Sequence, residues 1–212
     1  MDFSKAMGVE YRVVKDAERE GQPARIVSGA RVYDTDKQDL WDALTNPERI
    51  PNWFLPITGE LKLGGHYQLE GHAGGKILQC DPTELMEVTW ECGGNVSWVS
   101  VRLSPDGDGT RLTLEHMMLK DEEGEAHWKK YGPGATGVGW DLGFVGLGLH
   151  LANGNADIDQ QESQAWMASD PGKSFIRKSA QAWGEAHITN GETLEIAHEM
   201  AEQTAKAYTG EA

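Results

Sequence analysis

Cysteine is nearly absent from this chain, with two in 212 residues, Cys80 and Cys92. So few thiols exclude a disulfide framework and a four-cysteine zinc site. No apolar run approaches the ~20 residues that a bilayer-spanning helix needs. The opening residues, MDFSKAMGVEYRVV, lack the continuous apolar core of a secretory signal. Basic residues are scarce too, 19 Lys and Arg against 34 Asp and Glu, for a formal charge of -15. Such an acidic surface repels phosphate backbones and anionic lipid, so no nucleic-acid partner and no membrane partner is expected. The charge serves solubility, and the expected localisation is cytoplasmic.

The two cysteines also fail as a pair. Residues 75–80 and 85–92 read as hairpin arms turning at Asp81-Pro82-Thr83-Glu84, with Cys80 beside Leu85 and Cys92 at the far end. That places the two levels roughly 23 Å apart along the strand, far beyond the ~7 Å Cα limit of a bridge. Two free, packed thiols are the expectation.

What is present is a run of short elements. At 39% hydrophobic and 25% charged, a chain of this length forms one domain, or one domain with an elaborated end. A strand at 11–14 and a loop at 18–22 precede a long alternating strand at 26–33. Leu40, Trp41 and Leu44 give the next helix an apolar face, with Asp34 or Thr35 as its N-cap and Asn46-Pro47 as its stop. Trp53 and Phe54 then put aromatic surface into a loop, where protein or ligand must cover it. Strands at 57–63, 66–71, 76–80, 85–92, 96–103 and 111–118 follow, separated by turn residues such as Gly64-Gly65 and Pro105-Asp106-Gly107-Asp108-Gly109. An antiparallel meander fits, because a parallel sheet would need helices between strands.

Strand parity selects the inward side chains. Met86, Val88, Trp90 and Cys92 share one face, as do Val99, Val101 and Leu103, and Leu112, Leu114, His116 and Met118. Trp98 falls on the opposite face. Residues 121–134 read as a charged loop ahead of a long helix at 137–152. At helical spacing, Trp140, Phe144, Leu147 and Leu151 form one apolar arc, and Val138, Leu142, Val145 and Leu149 another. Gly139, Gly143 and Gly146 lie between the arcs. Each mid-helix glycine costs about 1 kcal/mol against alanine, so the stripe needs a reason: a backbone packed close, or space left for a ligand. Packing is the expectation. The G-x-x-G-x-G string from Gly143 is no phosphate loop, because no strand-to-helix turn precedes it. Asp170-Pro171 starts a further helix bearing Phe175, Ile176, Ser179 and Trp183 on one side. A last helix carries Leu194, Ala197, Ala201, Ala205 and Tyr208, and should cover the second arc.

The Trp41 helix, Asn46-Pro47-Glu48, Trp53-Phe54, Gly64-Gly65 with Tyr67, residues 109–114 and Gly139-Trp140 together resemble the START-like (SRPBCC) superfamily. Within it, the likeness is to the family named after the activator of the heat-shock-protein-90 ATPase. It covers roughly residues 26–151. The resemblance implies an α+β helix-grip fold, a curved antiparallel sheet wrapped around a long helix with a cavity between. An N-terminal extension (1–24), the START-like domain (25–154) and a helical C-terminal extension (155–212) are the expected parts. Members include ligand carriers, cyclases, hydrolases and co-chaperone modules, so the family leaves the activity open.

No catalytic constellation is legible. His66 and His72 share strand parity but lie roughly 20 Å apart if extended, so no metal site forms there, and no cofactor is expected. His116 is the best single candidate, a titratable group on an inward face. The expected ligand-binding residues are Trp41, Trp53, Phe54, Tyr67, Met86, Trp90, Leu114, His116, Trp140 and Phe144. Three readings stand: a small hydrophobic-ligand binding protein with an internal cavity, a protein-partner module of the co-chaperone kind, and a cyclase-like or aromatase-like enzyme. The first is preferred, with a small apolar molecule as partner. Oligomeric state is left open.

Overall fold

Two consecutive residues with positive φ, Glu20 at 52° and Gly21 at 79°, reverse the chain in the manner of a tight hairpin turn. They join β1 (Tyr11–Arg19) to β2 (Gln22–Tyr33) in register along the whole of β1. In the computed structural model, which describes Phe3 and residues 11–211, this hairpin opens an eight-stranded sheet. The remaining strands are β3 (Ile57–Gly59), β4 (His66–Leu69), β5 (Gly74–Asp81), β6 (Leu85–Cys92), β7 (Asn95–Asp106) and β8 (Gly109–Leu119). Their spatial order is β1-β2-β8-β7-β6-β5-β4-β3, every neighbouring pair antiparallel. The fold is α+β, consistent with a helix grip. Apart from Phe3, the expected N-terminal extension before residue 11 lies outside the described residues.

Several boundaries differ from the sequence expectation, each for a local reason. The strand expected at 11–14 runs to Arg19, because the turn needs only Glu20-Gly21. The first helix, α1 (Lys37–Thr45), is capped by Asp36, whose Oδ1 accepts from the Asp39 amide at 2.8 Å, and not by Asp34 or Thr35. Cys80 stands opposite Met86, with Asp81 opposite Leu85, one residue from the expected pairing. Both cysteines are free, yet Cys92 is exposed beside the Gly93-Gly94 turn and is not packed. The stretch expected as a charged loop is α2 (Glu122–Tyr131). Asp121 caps it through the Gly124 amide at 2.8 Å, and three glutamates in its first turn and two lysines in its last complement the helix dipole.

The long helix, α3 (Gly134–Ala152), crosses the concave face of the sheet. Val99, Val101, Leu103, Leu112 and Leu114 are buried beneath it with Phe144 and Leu147, as strand parity predicts. Two polar side chains of β2 grip the helix: Arg31 Nη1 and Tyr33 Oη both donate to the Phe144 carbonyl at 3.1 Å. Gly148 admits that guanidinium, since a Cβ there would stand 3.3 Å from Arg31 Nη2. On the sheet's other face, Arg19 lies over the Trp98 ring at 4.6 Å.

Three helices, α4 (Gln160–Ala168), α5 (Asp170–Thr189) and α6 (Leu194–Thr209), form a layer beyond α3. Trp183 of α5 is fully buried, pressed on Gly137 so closely that any Cβ at that position would overlap its indole. A buried carboxylate pins the same seam. Asp141 Oδ2 accepts from Arg12 Nε and Nη2 (3.0 and 2.6 Å), Ser179 Oγ (2.5 Å) and Trp183 Nε1 (3.1 Å). Burial pushes the Asp141 carboxyl up, against the pull of Arg12. No helix among the described residues is long and apolar enough to cross a membrane.

Candidate functional site

Four aromatic side chains from three separate segments meet over the middle of α3. Trp53 and Phe54 come from the turn after the 3₁₀ turn Ile50–Asn52, and Trp90 from β6. Trp140 rises from α3 itself. Trp53 is held by its indole N–H, which donates to the Ala43 carbonyl at 2.9 Å. Ring centroids stand 5.4 Å apart for Trp53–Phe54, 6.5 Å for Phe54–Trp140 and 5.1 Å for Trp90–Trp140. These separations are normal for offset and tilted aromatic pairs.

The cluster is a partition between two cavities. On its outer side is a cleft of about 570 Å³, bounded by α3, the Trp53 turn, α4 and the end of α6. On its inner side, between sheet and helix, is a chamber of about 120 Å³ lined by aliphatic residues of the core. Trp53, Phe54, Trp90, Trp140 and Gly143 line both. Gly139, Gly143 and Gly146 all face the outer cleft. A Cβ on Gly146 would stand 2.7 Å from the Trp53 carbonyl oxygen, whereas one on Gly143 would meet nothing closer than the Phe54 ring at 4.0 Å. The glycine stripe therefore meets the C-terminal helices only at Gly139, where a Cβ would stand 3.2 Å from the Tyr208 hydroxyl of α6. The closer contact falls instead on Gly137.

His116 sits at the floor of the cleft with both ring nitrogens engaged. Trp140 Nε1–H donates to His116 Nδ1 at 3.1 Å, and Ser97 Oγ lies 2.8 Å from Nε2. Because Nδ1 accepts, Nε2 carries the proton and donates to Ser97, whose hydroxyl donates onward to the Trp90 carbonyl at 3.1 Å. Burial lowers the His116 pKa to about 4. A neutral imidazole of fixed tautomer thus orients Trp140 and ties β6, β7 and β8 to α3. His72, at the exposed rim, meets the edge of Trp90 at 5.6 Å.

The expected ligand set divides between these spaces. Trp53, Phe54, Trp90 and Trp140 line both, and His116 lines the outer cleft. Tyr67, Met86, Leu114 and Phe144 line the inner chamber. Tyr67 Oη donates to the Thr89 carbonyl at 2.7 Å, and burial raises its pKa. Trp41 lines neither and packs in the core. Sequence reasoning missed the outer wall, to which α4 contributes Ser163, Gln164, Trp166 and Met167. Phe3 stacks on Trp166 there, with centroids 4.4 Å apart. The glycine at position 143 was the one signal pointing to that side.

One other polar cluster, around Arg49 and His150, has structural partners on every side. Arg49 Nε donates to His150 Nε2 at 3.0 Å, and its other nitrogens meet Asp39, Asp42 and Asn155. His150 Nδ1 donates to the Ala156 carbonyl at 3.0 Å, joining α1 to the end of α3. Among the described residues, no group of three or more His, Cys, Asp or Glu is placed to hold a metal ion.

Residues 34–145, over half the chain, match the family described as Activator of Hsp90 ATPase homolog 1-like protein. No curated protein matches the sequence. Among solved structures, the chain is similar to the solution structure of CalU16 from Micromonospora echinospora, with 28% identity and a TM-score of 0.69 over 86% of this chain and 97% of that one. The crystal structure of CalU16 gives 27% identity and 0.64 over 84% and 98%. MLL2253 from Mesorhizobium loti, at 23% identity and 0.53, covers 61% of this chain and 98% of its own. The share covered by CalU16 is larger than residues 1–145 could supply alone, so part of the helical layer has a counterpart there.

Proposed function

The chain belongs to the Activator of Hsp90 ATPase homolog 1-like family, within the START-like superfamily, and on that premise we propose that it binds a small apolar molecule. The observation that carries this reading is the outer cleft. At about 570 Å³ it falls within the ~300–1,000 Å³ of typical small-molecule sites. Its walls are indole and phenyl rings, with a few neutral polar groups around them. The inner chamber alone, at about 120 Å³, is too small for such a ligand. Binding is favoured over catalysis because His116, the histidine on the floor of the cleft, spends both nitrogens on Trp140 and Ser97, while His72 stands at the exposed rim. A general base needs a free lone pair within reach of substrate.

The test is native mass spectrometry of protein purified from its own host, followed by denaturing extraction. A stoichiometric apolar molecule supports the reading and supplies its chemical class. Empty protein, together with capture of a chaperone in pull-downs, would favour the protein-partner reading.

A further inference from the structure

We infer that the outer cleft and the inner chamber are two arms of one site, joined beside Gly143, whose ligand is an uncharged molecule with a planar aromatic body and a short apolar arm. This rests on the ligand-binding reading above. The first observation is electrostatic. A quarter of the chain is charged, yet among the described residues no Asp, Glu, Lys or Arg lines either cavity. A charged ligand buried there would lose its hydration without a counter-charge, which is strongly unfavourable. The polar lining of the outer cleft is instead Asn52, Thr136, Gln160, Ser163 and Gln164, with the Tyr208 hydroxyl and the imidazoles of His116 and, at the exposed rim, His72. Such side chains suit carbonyl, hydroxyl or amide groups on a ligand's edge.

The second observation is the shape of the walls. Trp53, Phe54, Trp90 and Trp140 offer ring faces and edges around the outer cleft, the surroundings in which another aromatic ring gains most. The inner chamber shares those four rings and, besides Tyr67 and Phe144, adds mostly aliphatic side chains such as Leu69, Ile77, Val88 and Val101. Its 120 Å³ is somewhat smaller than the ~150 Å³ of a cavity that admits one benzene ring, room for a short chain and not for a fused ring system. Gly143 sits where the two spaces meet, and its nearest neighbour, the Phe54 ring at 4.0 Å, is too far to give it a packing reason. The missing side chain leaves the doorway open. The His116 network fixes Trp140 as one side of it.

The experiment titrates the full chain with four probes, followed by tryptophan fluorescence and calorimetry. They are 2-acetylnaphthalene, 2-hexanoylnaphthalene with the same ring and a longer arm, 2-naphthalenesulfonate with the ring and a negative charge, and 1-octanol with an arm alone. The hexanoyl ketone should bind about tenfold or more tighter than the acetyl ketone, from methylenes buried in the inner chamber. The sulfonate should bind at least about tenfold more weakly than the acetyl ketone, and octanol more weakly still. Gly143→Leu fills the doorway and should bring the ratio between the two ketones to about one, with Gly143→Ala intermediate. Both substitutions replace a poor helix former, and circular dichroism verifies the fold.

Each contrary result overturns a defined part. Equal binding of sulfonate and ketone removes the uncharged class, and an unchanged ketone ratio in both variants removes the joined site. Octanol binding without the ketones removes the aromatic body but leaves the ligand-binding reading standing. If no probe binds, the ligand-binding reading itself fails.

Discussion

The two sides of α3 use the same residue to opposite ends. Toward α5, Gly137 lets the Trp183 indole rest against the helix backbone, and Asp141 one turn on is wrapped by Arg12, Ser179 and Trp183. Toward the cleft, Gly143 has nothing closer than the Phe54 ring at 4.0 Å from where its Cβ would be. Both glycines carry the same intrinsic cost to the helix. On one side that cost is offset by packed contact and buried hydrogen bonds. On the other it leaves a cavity. A structural seam and a binding site can therefore share one helix, separated by less than two turns.

The closed side should respond most to mutation. Trp183, on α5, is fully buried against β1, β2 and α3, and donates to Asp141. Trp183→Ala should cost about 3–5 kcal/mol, the usual range for a large aromatic in a core, seen as a fall in the denaturation midpoint. Gly137→Ala should also destabilise the native chain, because its Cβ has no room. In the Trp183→Ala background the same alanine should be tolerated. A strictly additive double-mutant cycle would mean that the two residues do not touch in solution.

The buried histidine on the cleft side makes a pH prediction. Its pKa is lowered from 6.5 to about 4, by burial. In the unfolded chain an imidazole takes up its proton near 6.5. The folded state resists that proton, so the stability contribution is complete above 6.5 and is lost as pH falls toward about 4. The loss is about 3 kcal/mol, at 1.36 kcal/mol per unit. His150 and His187 are lowered as well and act in the same direction, while the raised Asp141 carboxyl acts oppositely. Denaturation midpoints measured from pH 7.5 to 4.5 should fall, and should fall less in His116→Gln. An equal slope in that variant would place the acid sensitivity away from the cleft, at His150 or His187.

Much of this architecture can be read from residue order alone. Alternation along β7 and β8 gives the buried face, including His116, because one side of those strands meets the core and the other meets water. Turn glycines place most of the hairpins. α2 escapes because EEGEAHWKKY buries nothing fully and is held by a cap and its charge pattern. α4 escapes for a similar reason, since no residue of it is buried and it closes a cleft without filling a core. Half the candidate site was legible as aromatic residues on inward faces or in an exposed turn. Its division into two chambers was not. That depends on Trp140 and Ser97 meeting His116 from 24 and 19 residues away, and on a wall supplied by the C-terminal layer.

The smallest predicted effect has the opposite sign to the first. Gly143→Ala adds a methyl group pointing into the cleft, 4.0 Å from the nearest atom, which is ordinary contact distance. Nothing needs to move, so only the helix term changes. Alanine is favoured over glycine in a helix interior by about 1 kcal/mol. The variant should therefore be more stable than the native chain, by about 2–4 °C in Tm for a domain of this size. Gly137→Ala makes the same chemical change six positions earlier in α3 and should lower Tm. Opposite signs from identical substitutions would tie each glycine to its own side of the helix. A fall in Tm for Gly143→Ala would mean that in solution the cleft is closed over that glycine, and the doorway with it.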